Sequence, residues 1–261
     1  MASVSSYSEE LTEEIIEAAK AELVETDGVP LESPWHRAAI NLLIDVVVWL
    51  FQGRKDYFVG GNMFVYFARG QTRRHSYRGP DFFFVKDVDG TRERLYWWAF
   101  EEDSRLPNVI IELLSPTTAK EDRTTKKALY EKNFRTPEYY CYDPATRQLE
   151  GWRLVEASYQ PIAPNDRGRL WCEELGVWVG TWDGTFQGCE TTWLRFFGAD
   201  GQLLQTESEA ERQRAESERQ RAETAEQRVD IAQQRASALQ AELARLQALL
   251  TEKGIAPPPK Q

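Results

Sequence analysis

The chain has 261 residues, 41% of them hydrophobic and 12% aromatic, enough to pack a core, and a formal net charge of -10. That acidity argues against an architectural protein held on nucleic acid by its overall field, though not against an enzyme with a local basic site. Cys141, Cys172 and Cys189 match no zinc spacing and are odd in number, which argues against a disulfide framework, and His36 and His75 are too few for a histidine-based metal centre.

The first 20 residues lack the basic and apolar segments of a signal peptide. The longest apolar stretch, 38–51, is broken by Asn41 and Asp45 and is too short to span a bilayer. The expectation is a soluble, cytoplasmic protein with no membrane association. Residues 1–28 read as an N-terminal arm, with a helix over 7–26 whose apolar face is Leu11, Ile15, Ile16, Ala19 and Leu23.

A domain is expected over 29–205. Ser33-Pro34 opens a helix by the N-cap and first-turn rules, and Ile40, Leu43, Val47 and Leu50 carry it to Phe51, apolar nearly all round and therefore buried. Residues 57–67 read as one long strand interrupted at Gly60-Gly61, the sign of a bulge or a close backbone approach. A basic loop with Arg73, Arg74 and His75 leads through Arg78 to a strand over 81–85. The turn signal Asp87-Val-Asp-Gly90 makes 94–100 the other arm of a hairpin. Residues 109–114 form a strand buried on both faces. Ser115-Pro-Thr-Thr begins a turn and a helix to about Asn133, and 139–142 is a further strand. The order of elements gives a mixed α/β fold with strands clustered around one helix.

Between 145 and 198, Trp152, Trp171, Trp178, Trp182 and Trp193 alternate with the turn signals Pro164-Asn-Asp166, Asp183-Gly184 and, just beyond, Gly198-Ala-Asp-Gly201. This predicts short antiparallel strands that extend or cover the sheet, with the tryptophans as core. At Thr206 the composition changes. Glu-Arg-Gln-Arg-Ala-Glu occurs at 211–216 and again at 218–223, and Ala222, Ala225, Val229, Ala232, Ala236, Leu239, Leu243, Leu246 and Leu250 keep 3-4 spacing. A coiled-coil helix is expected over 206–253, forming a homodimer or higher oligomer through 222–250, with a frayed tail over 254–261.

Two of the apolar runs each contain one carboxylate: Asp81 at the mouth of the first, and Glu112 inside the second between Ile111 and Leu113. An ionised, unpaired carboxylate in a core is very costly, so each needs a proton, a cation or a metal. On neighbouring strands they converge on a site for Mg²⁺, with Mn²⁺ as its substitute and the backbone carbonyl of Leu113 as an extra oxygen ligand. Such an ion activates a bound water and stabilises charge on a phosphodiester. Lys126 and Lys127, on the next helix, can reach back to it, and Arg73, Arg74 and Arg78 make the setting locally basic. The plainer readings of three neighbours are Ser115 as a helix cap, His36 as a core histidine and Tyr130 as a packing residue.

Pro80-Asp81, Val109-Ile-Ile-Glu112-Leu-Leu-Ser-Pro116, Asp122-Arg-Thr-Thr-Lys126-Lys-Ala-Leu-Tyr130, Thr136-Pro-Glu-Tyr-Tyr140 and Tyr142-Asp-Pro144, in this order, resemble the Uma-two family of the restriction-endonuclease-like, PD-(D/E)XK superfamily. The likeness extends over about 32–206, and the heptad tail is similar to tails of some bacterial members. It implies a central mixed sheet flanked by helices, and a Mg²⁺-dependent endonuclease acting on DNA with Asp81 and Glu112 as metal-binding acids. The superfamily signature puts lysine two residues after the second acid, where this chain has Leu114. The resemblance implies that the lysine comes instead from the following helix, at Lys126, with Lys127 as the fallback. Two other expectations compete: a non-catalytic nuclease-fold scaffold with a vestigial metal site, and a metal-dependent hydrolase of a small phosphate.

Overall fold

A computed structural model describes residues 33–67 and 77–253. The expected helix over 7–26, the loop residues Arg73, Arg74 and His75, and the tail 254–261 lie outside the described residues. The chain divides into two compact units, 1–206 and 207–261.

The first unit begins with helix α1, Pro34–Leu50. Ser33 caps it, its hydroxyl accepting the His36 amide at 3.2 Å, and Pro34 supplies the preset first turn. Ala39, Leu42, Leu43, Val46 and Val47 are buried, whereas Val48 and Leu50 are exposed. The helix is therefore one-sided, not buried all round as its composition suggests, because one face meets the sheet and the other meets water.

The main sheet has six strands in the order β1-β4-β6-β7-β8-β9. They are β1 (Tyr57–Gly60), β4 (Phe82–Lys86), β6 (Val109–Leu113), β7 (Glu138–Asp143), β8 (Gln148–Val155) and β9 (Ser158–Pro161). Among these six described strands, only β6 and β7 pair in parallel. A parallel pair needs a crossover, and helix α2 provides it. This helix runs through Ala119–Glu121, Asp122–Lys126, Lys127–Leu129 and Tyr130–Phe134, the second and fourth segments being π-wound.

Side chains alternate across β4 and β6, so that each strand feeds two cores. Phe82, Phe84, Val109, Ile111 and Leu113 pack on the α1 side. Phe83, Val85 and Ile110 pack on the α2 side with Tyr130, Phe134 and Tyr139. That double burial explains why these strands read as continuous apolar runs.

A second sheet of β10 (Leu170–Cys172), β11 (Val177–Phe186) and β12 (Cys189–Phe197) adds Val177, Val179, Trp193 and Phe196 to the α1-side core. Its hairpin is longer than the short strands expected. The turn lies at Gln187-Gly188, both with positive φ, and not at Asp183-Gly184, which stays inside β11. Gly184 serves packing there: a Cβ on it would lie 2.1 Å from the Trp182 ring.

A small third sheet joins β3 (Tyr77–Arg78), β2 (Val65–Tyr66) and β5 (Trp97–Trp98). It corrects two expectations. Residues 57–67 are two strands in different sheets, and 94–100 is no hairpin arm: only Trp97–Trp98 is extended, parallel to β2. The reason for the second is that β4 already has β1 on one edge and β6 on the other. The reason for the first lies at Gly61, where a Cβ would meet the Asp81 carbonyl at 2.3 Å and Ile40 Cγ2 at 2.5 Å. The chain turns there because only glycine can pass between α1 and the start of β4.

The second unit contains α3, Glu207–Glu252, a 46-residue helix, about 69 Å long at the α-helical rise. The 3-4 stripe lies open to solvent along it, with Val229, Leu239, Leu243 and Leu246 all exposed.

Gly61→Ala should destabilise the first unit by about 3 kcal/mol through overpacking against backbone. Urea unfolding measures this, and a midpoint equal to that of the wild type would contradict the close approach.

Candidate active site

The register of β4 on β6 pairs Phe82 with Ile111, and one further step sets Asp81 opposite Glu112. Asp81 stands just before β4, after Pro80, so the strand pleat does not dictate its direction. Its Oδ2 accepts the Leu113 amide at 2.7 Å, and its Oδ1 lies 2.8 Å from His36 Nε2 on the first turn of α1. The carboxylate is thus held from two elements. For Leu113 the defined contact is the amide, which ties the backbone beside Glu112 to Asp81.

Glu112 projects to the α2 side of the sheet and is 1% exposed. Its Oε1 accepts the Tyr130 hydroxyl at 2.9 Å, and its Oε2 lies 3.2 Å from Lys126 Nζ. Lys126 Nζ is also 2.7 Å from Asp122 Oδ1. Asp122, Lys126 and Tyr130 recur at four-residue spacing, which puts them on one face of α2. Lys127, on the next face, lies 3.7 Å from the centre of the Trp152 ring, away from the acids. Ser115 is engaged in its own turn: its hydroxyl accepts the Thr118 amide at 3.2 Å and lies 2.9 Å from Thr117 Oγ1. Arg78 donates to the Tyr77 carbonyl at 2.8 Å, and its Nε is buried with no hydrogen-bond partner among the described residues.

Burial pushes the Glu112 carboxyl up to about 8 from its ordinary 4.5. The Lys126 charge and the Tyr130 hydroxyl oppose the rise, and the charges of Asp81 and Asp122 reinforce it. For Lys126, burial pulls its pKa down, but the charges of Glu112 and Asp122 prevail and the net direction is up, so the ammonium persists. Burial also raises the Tyr130 hydroxyl, which therefore remains a donor to Glu112.

Three carboxylates thus act on one ammonium in a nearly dry pocket. Asp81 and Glu112 offer oxygen donors, the kind Mg²⁺ takes, and the surplus negative charge is what a divalent cation would offset. The residues present fit such an ion. Among the described residues no three His, Cys, Asp or Glu side chains gather closely enough to hold a metal by themselves. Water, main chain or substrate would complete the shell, as is usual for Mg²⁺.

The structure brings Asp81, Glu112 and Lys126 together, and adds His36 and Tyr130, for which the sequence favours plainer readings, and Asp122, to which it assigns no role. The 122-126-130 spacing was a usable signal for two of them. His36 carried none beyond its place at a helix start.

The described residues thus form a mixed sheet flanked by helices, with Asp81, just before β4, opposite Glu112 in β6. The model of the Uma2 family, described as "Putative restriction endonuclease", matches residues 9–182, and the chain belongs to that family. The crystal structure of a "putative nuclease belonging to DUF820" from Anabaena variabilis ATCC 29413 is similar at 14% identity and a TM-score of 0.40, over 58% of this chain and 81% of that one. None of the curated proteins matches the chain. No described helix is long and apolar enough to cross a membrane.

The raised Glu112 carboxyl has a consequence for stability. The folded metal-free protein holds this proton more tightly than the unfolded chain, so Glu112's contribution falls as pH rises from about 4.5 to about 8. Glu112→Gln removes this dependence. Over that window the wild type should lose stability relative to the variant by an amount on the order of a few kcal/mol. Parallel stability curves in urea would show that Glu112 ionises freely.

Proposed function

We propose that the chain is a metal-dependent nuclease that hydrolyses DNA phosphodiesters, with Asp81 and Glu112 holding Mg²⁺, the Leu113 carbonyl adding an oxygen ligand, and Lys126 acting on the attacking water or the scissile phosphate. The observation that carries this reading is the meeting of Asp81 and Glu112 across β4 and β6, with Lys126 reaching Glu112 from α2. When bound, the ion lowers the pKa of its water and offsets charge on the phosphodiester. The chain's own residues do the rest. His36 and the Leu113 amide orient Asp81, the Tyr130 hydroxyl orients Glu112, and the Lys126 ammonium neutralises the phosphate.

The α3 stripe supports the oligomeric part of the reading. Leu239 is 68% exposed in a single chain, and Leu243 and Leu246 continue its row. A second copy of the helix would cover them, placing two sites in one assembly that could address both strands of a duplex. The second reading, a nuclease-fold scaffold with a vestigial metal site, is favoured by the net charge of -10 and by Leu114 in the usual lysine position.

The deciding experiment measures Mg²⁺ and Mn²⁺ binding and cleavage of plasmid and single-stranded DNA. Asp81→Ala, Glu112→Ala and Lys126→Ala should each lower cleavage by about 10²-fold or more. Metal binding should weaken in the first two and persist in the third. Absence of metal binding at millimolar ion would eliminate the enzyme in favour of the scaffold. Binding of DNA should weaken steeply with salt, whereas hydrolysis of a small phosphate would be much less sensitive.

Two further outcomes are expected. His36→Ala should weaken Mn²⁺ binding about tenfold, the range for losing a group that orients a ligand, and an unchanged affinity would remove His36 from the site. Leu239→Lys with Leu243→Lys should convert the assembly to monomer in sedimentation equilibrium. If the wild type is itself monomeric at micromolar concentration, the oligomeric reading fails.

A further inference from the structure

Asp122 has no task in the reading above, yet it is buried as deeply as Glu112, each being 1% exposed. It precedes Lys126 by four residues on α2, and its Oδ1 lies 2.7 Å from Lys126 Nζ. The contact is a charge pair, not an aligned hydrogen bond, and Asp122 Oδ1 has no hydrogen-bond partner among the described residues. On its other side the same ammonium lies 3.2 Å from Glu112 Oε2. The main chain is fixed at this point too. The Asp122 carbonyl accepts the Lys127 amide, five residues on, and the Tyr139 hydroxyl from β7 at 2.9 Å.

We propose that Asp122 is the positioning residue for Lys126, drawing a helix-borne ammonium inward until it meets Glu112. The inference rests on the role given to Lys126 above and deepens it. A lysine on a helix has a long stem and about 2 kcal/mol of rotamer entropy, and by default its charge goes to water. A lysine on the strand beside the acid would be aimed by the pleat, whereas one on a helix has no such guide. Carboxylates on two sides of the ammonium replace it, and the π-wound turn from Asp122 to Lys126 sets the offset between them. Asp122 touches the lysine, not the reacting atoms. It therefore has to act through Lys126, which separates it from a third metal ligand and from a residue that only stabilises the fold.

The test reads Lys126 directly, so that it stands whether or not the protein cleaves DNA. In the full-length chain, acylation of Lys126 by an N-hydroxysuccinimide ester at one fixed pH is followed by mass spectrometry, with Lys120 and Lys132 as internal references. Asp122→Asn should speed labelling of Lys126 about tenfold, the size of a one-unit fall in its proton affinity, and leave the references unchanged. Unchanged labelling of Lys126 overturns the proposal. If Asp122→Asn does not fold, Asp122→Ser is read in the same way.

Where the wild type cleaves, Asp122→Asn should lower kcat about tenfold at constant KM and constant Mn²⁺ affinity, and add nothing in a Lys126→Ala background. A tenfold loss of Mn²⁺ affinity would make Asp122 a metal ligand. A full effect without Lys126 would make it a fold residue. Either result overturns the proposal. If cleavage is absent from the wild type while labelling responds as expected, the functional reading fails and the positioning of Lys126 stands.

Discussion

The molecule is organised around one unfavourable placement: a carboxylate in the middle of a strand buried on both faces. Glu112 cannot leave, because Ile111 and Leu113 anchor β6 in one core and Ile110 in the other. Two neighbours answer its charge, and a third fixes the main chain beside it. Tyr130 donates a hydrogen bond, Lys126 brings the opposite charge, and Asp81 locks the adjacent Leu113 amide. None of these contacts neutralises the pocket, because Asp81 and Asp122 add charge of the same sign. What remains is a buried carboxyl that burial and like charges press to keep its proton, held in a closely packed frame.

A second buried acid shows that the arrangement is not simply what buried acids require. Glu138, on β7, is as deeply buried as Glu112. It accepts from Arg153, from the Cys172 thiol and from the Glu173 and Glu174 amides, which spend both oxygens on fixed donors. Cys172 belongs to the second sheet, so Glu138 is a pin between two sheets. The two acids share burial and strand context and differ in what meets them. One is satisfied by main-chain amides, a thiol and an arginine, whereas the other meets a phenol and a lysine shared with another acid.

Much of this was legible in the sequence where local pattern and tertiary context agreed. The apolar runs at 81–85 and 109–114 announced two strands, the second buried on both faces, and a single carboxylate, Asp81 at the mouth of one and Glu112 inside the other, marked where each apolar pattern is broken. Ser33-Pro34 marked the start of α1. The reading failed where one residue's meaning depended on a distant neighbour. Gly61 looked like a bulge within a strand because Ile40 and the Asp81 carbonyl, which forbid a side chain there, are far away in sequence. Asp183-Gly184 looked like a turn because glycine serves turns more often than it serves a tryptophan lying flat over a strand. His36 looked inert because its partner is 45 positions away. The π-wound turns of α2 left no trace in composition; they lie where the Tyr139 hydroxyl meets the Asp122 carbonyl and the Tyr130 hydroxyl meets Glu112.

Those wide turns have a consequence for how the chain tolerates change in length. Each five-residue hydrogen-bonded loop accommodates roughly one residue more than an α-turn would. Removing a residue between Ser115 and Asp122, with no π-wound turn rewinding to absorb the loss, would rotate every side chain beyond the gap by about 100°. Lys126 would swing out of the pocket, and another face would arrive opposite Glu112, with Tyr130 lost in the same movement. The segment therefore behaves as a reading frame. Its residues can be exchanged with modest effect, while its count is fixed by the distance between the end of β6 and the ammonium that has to come back to it.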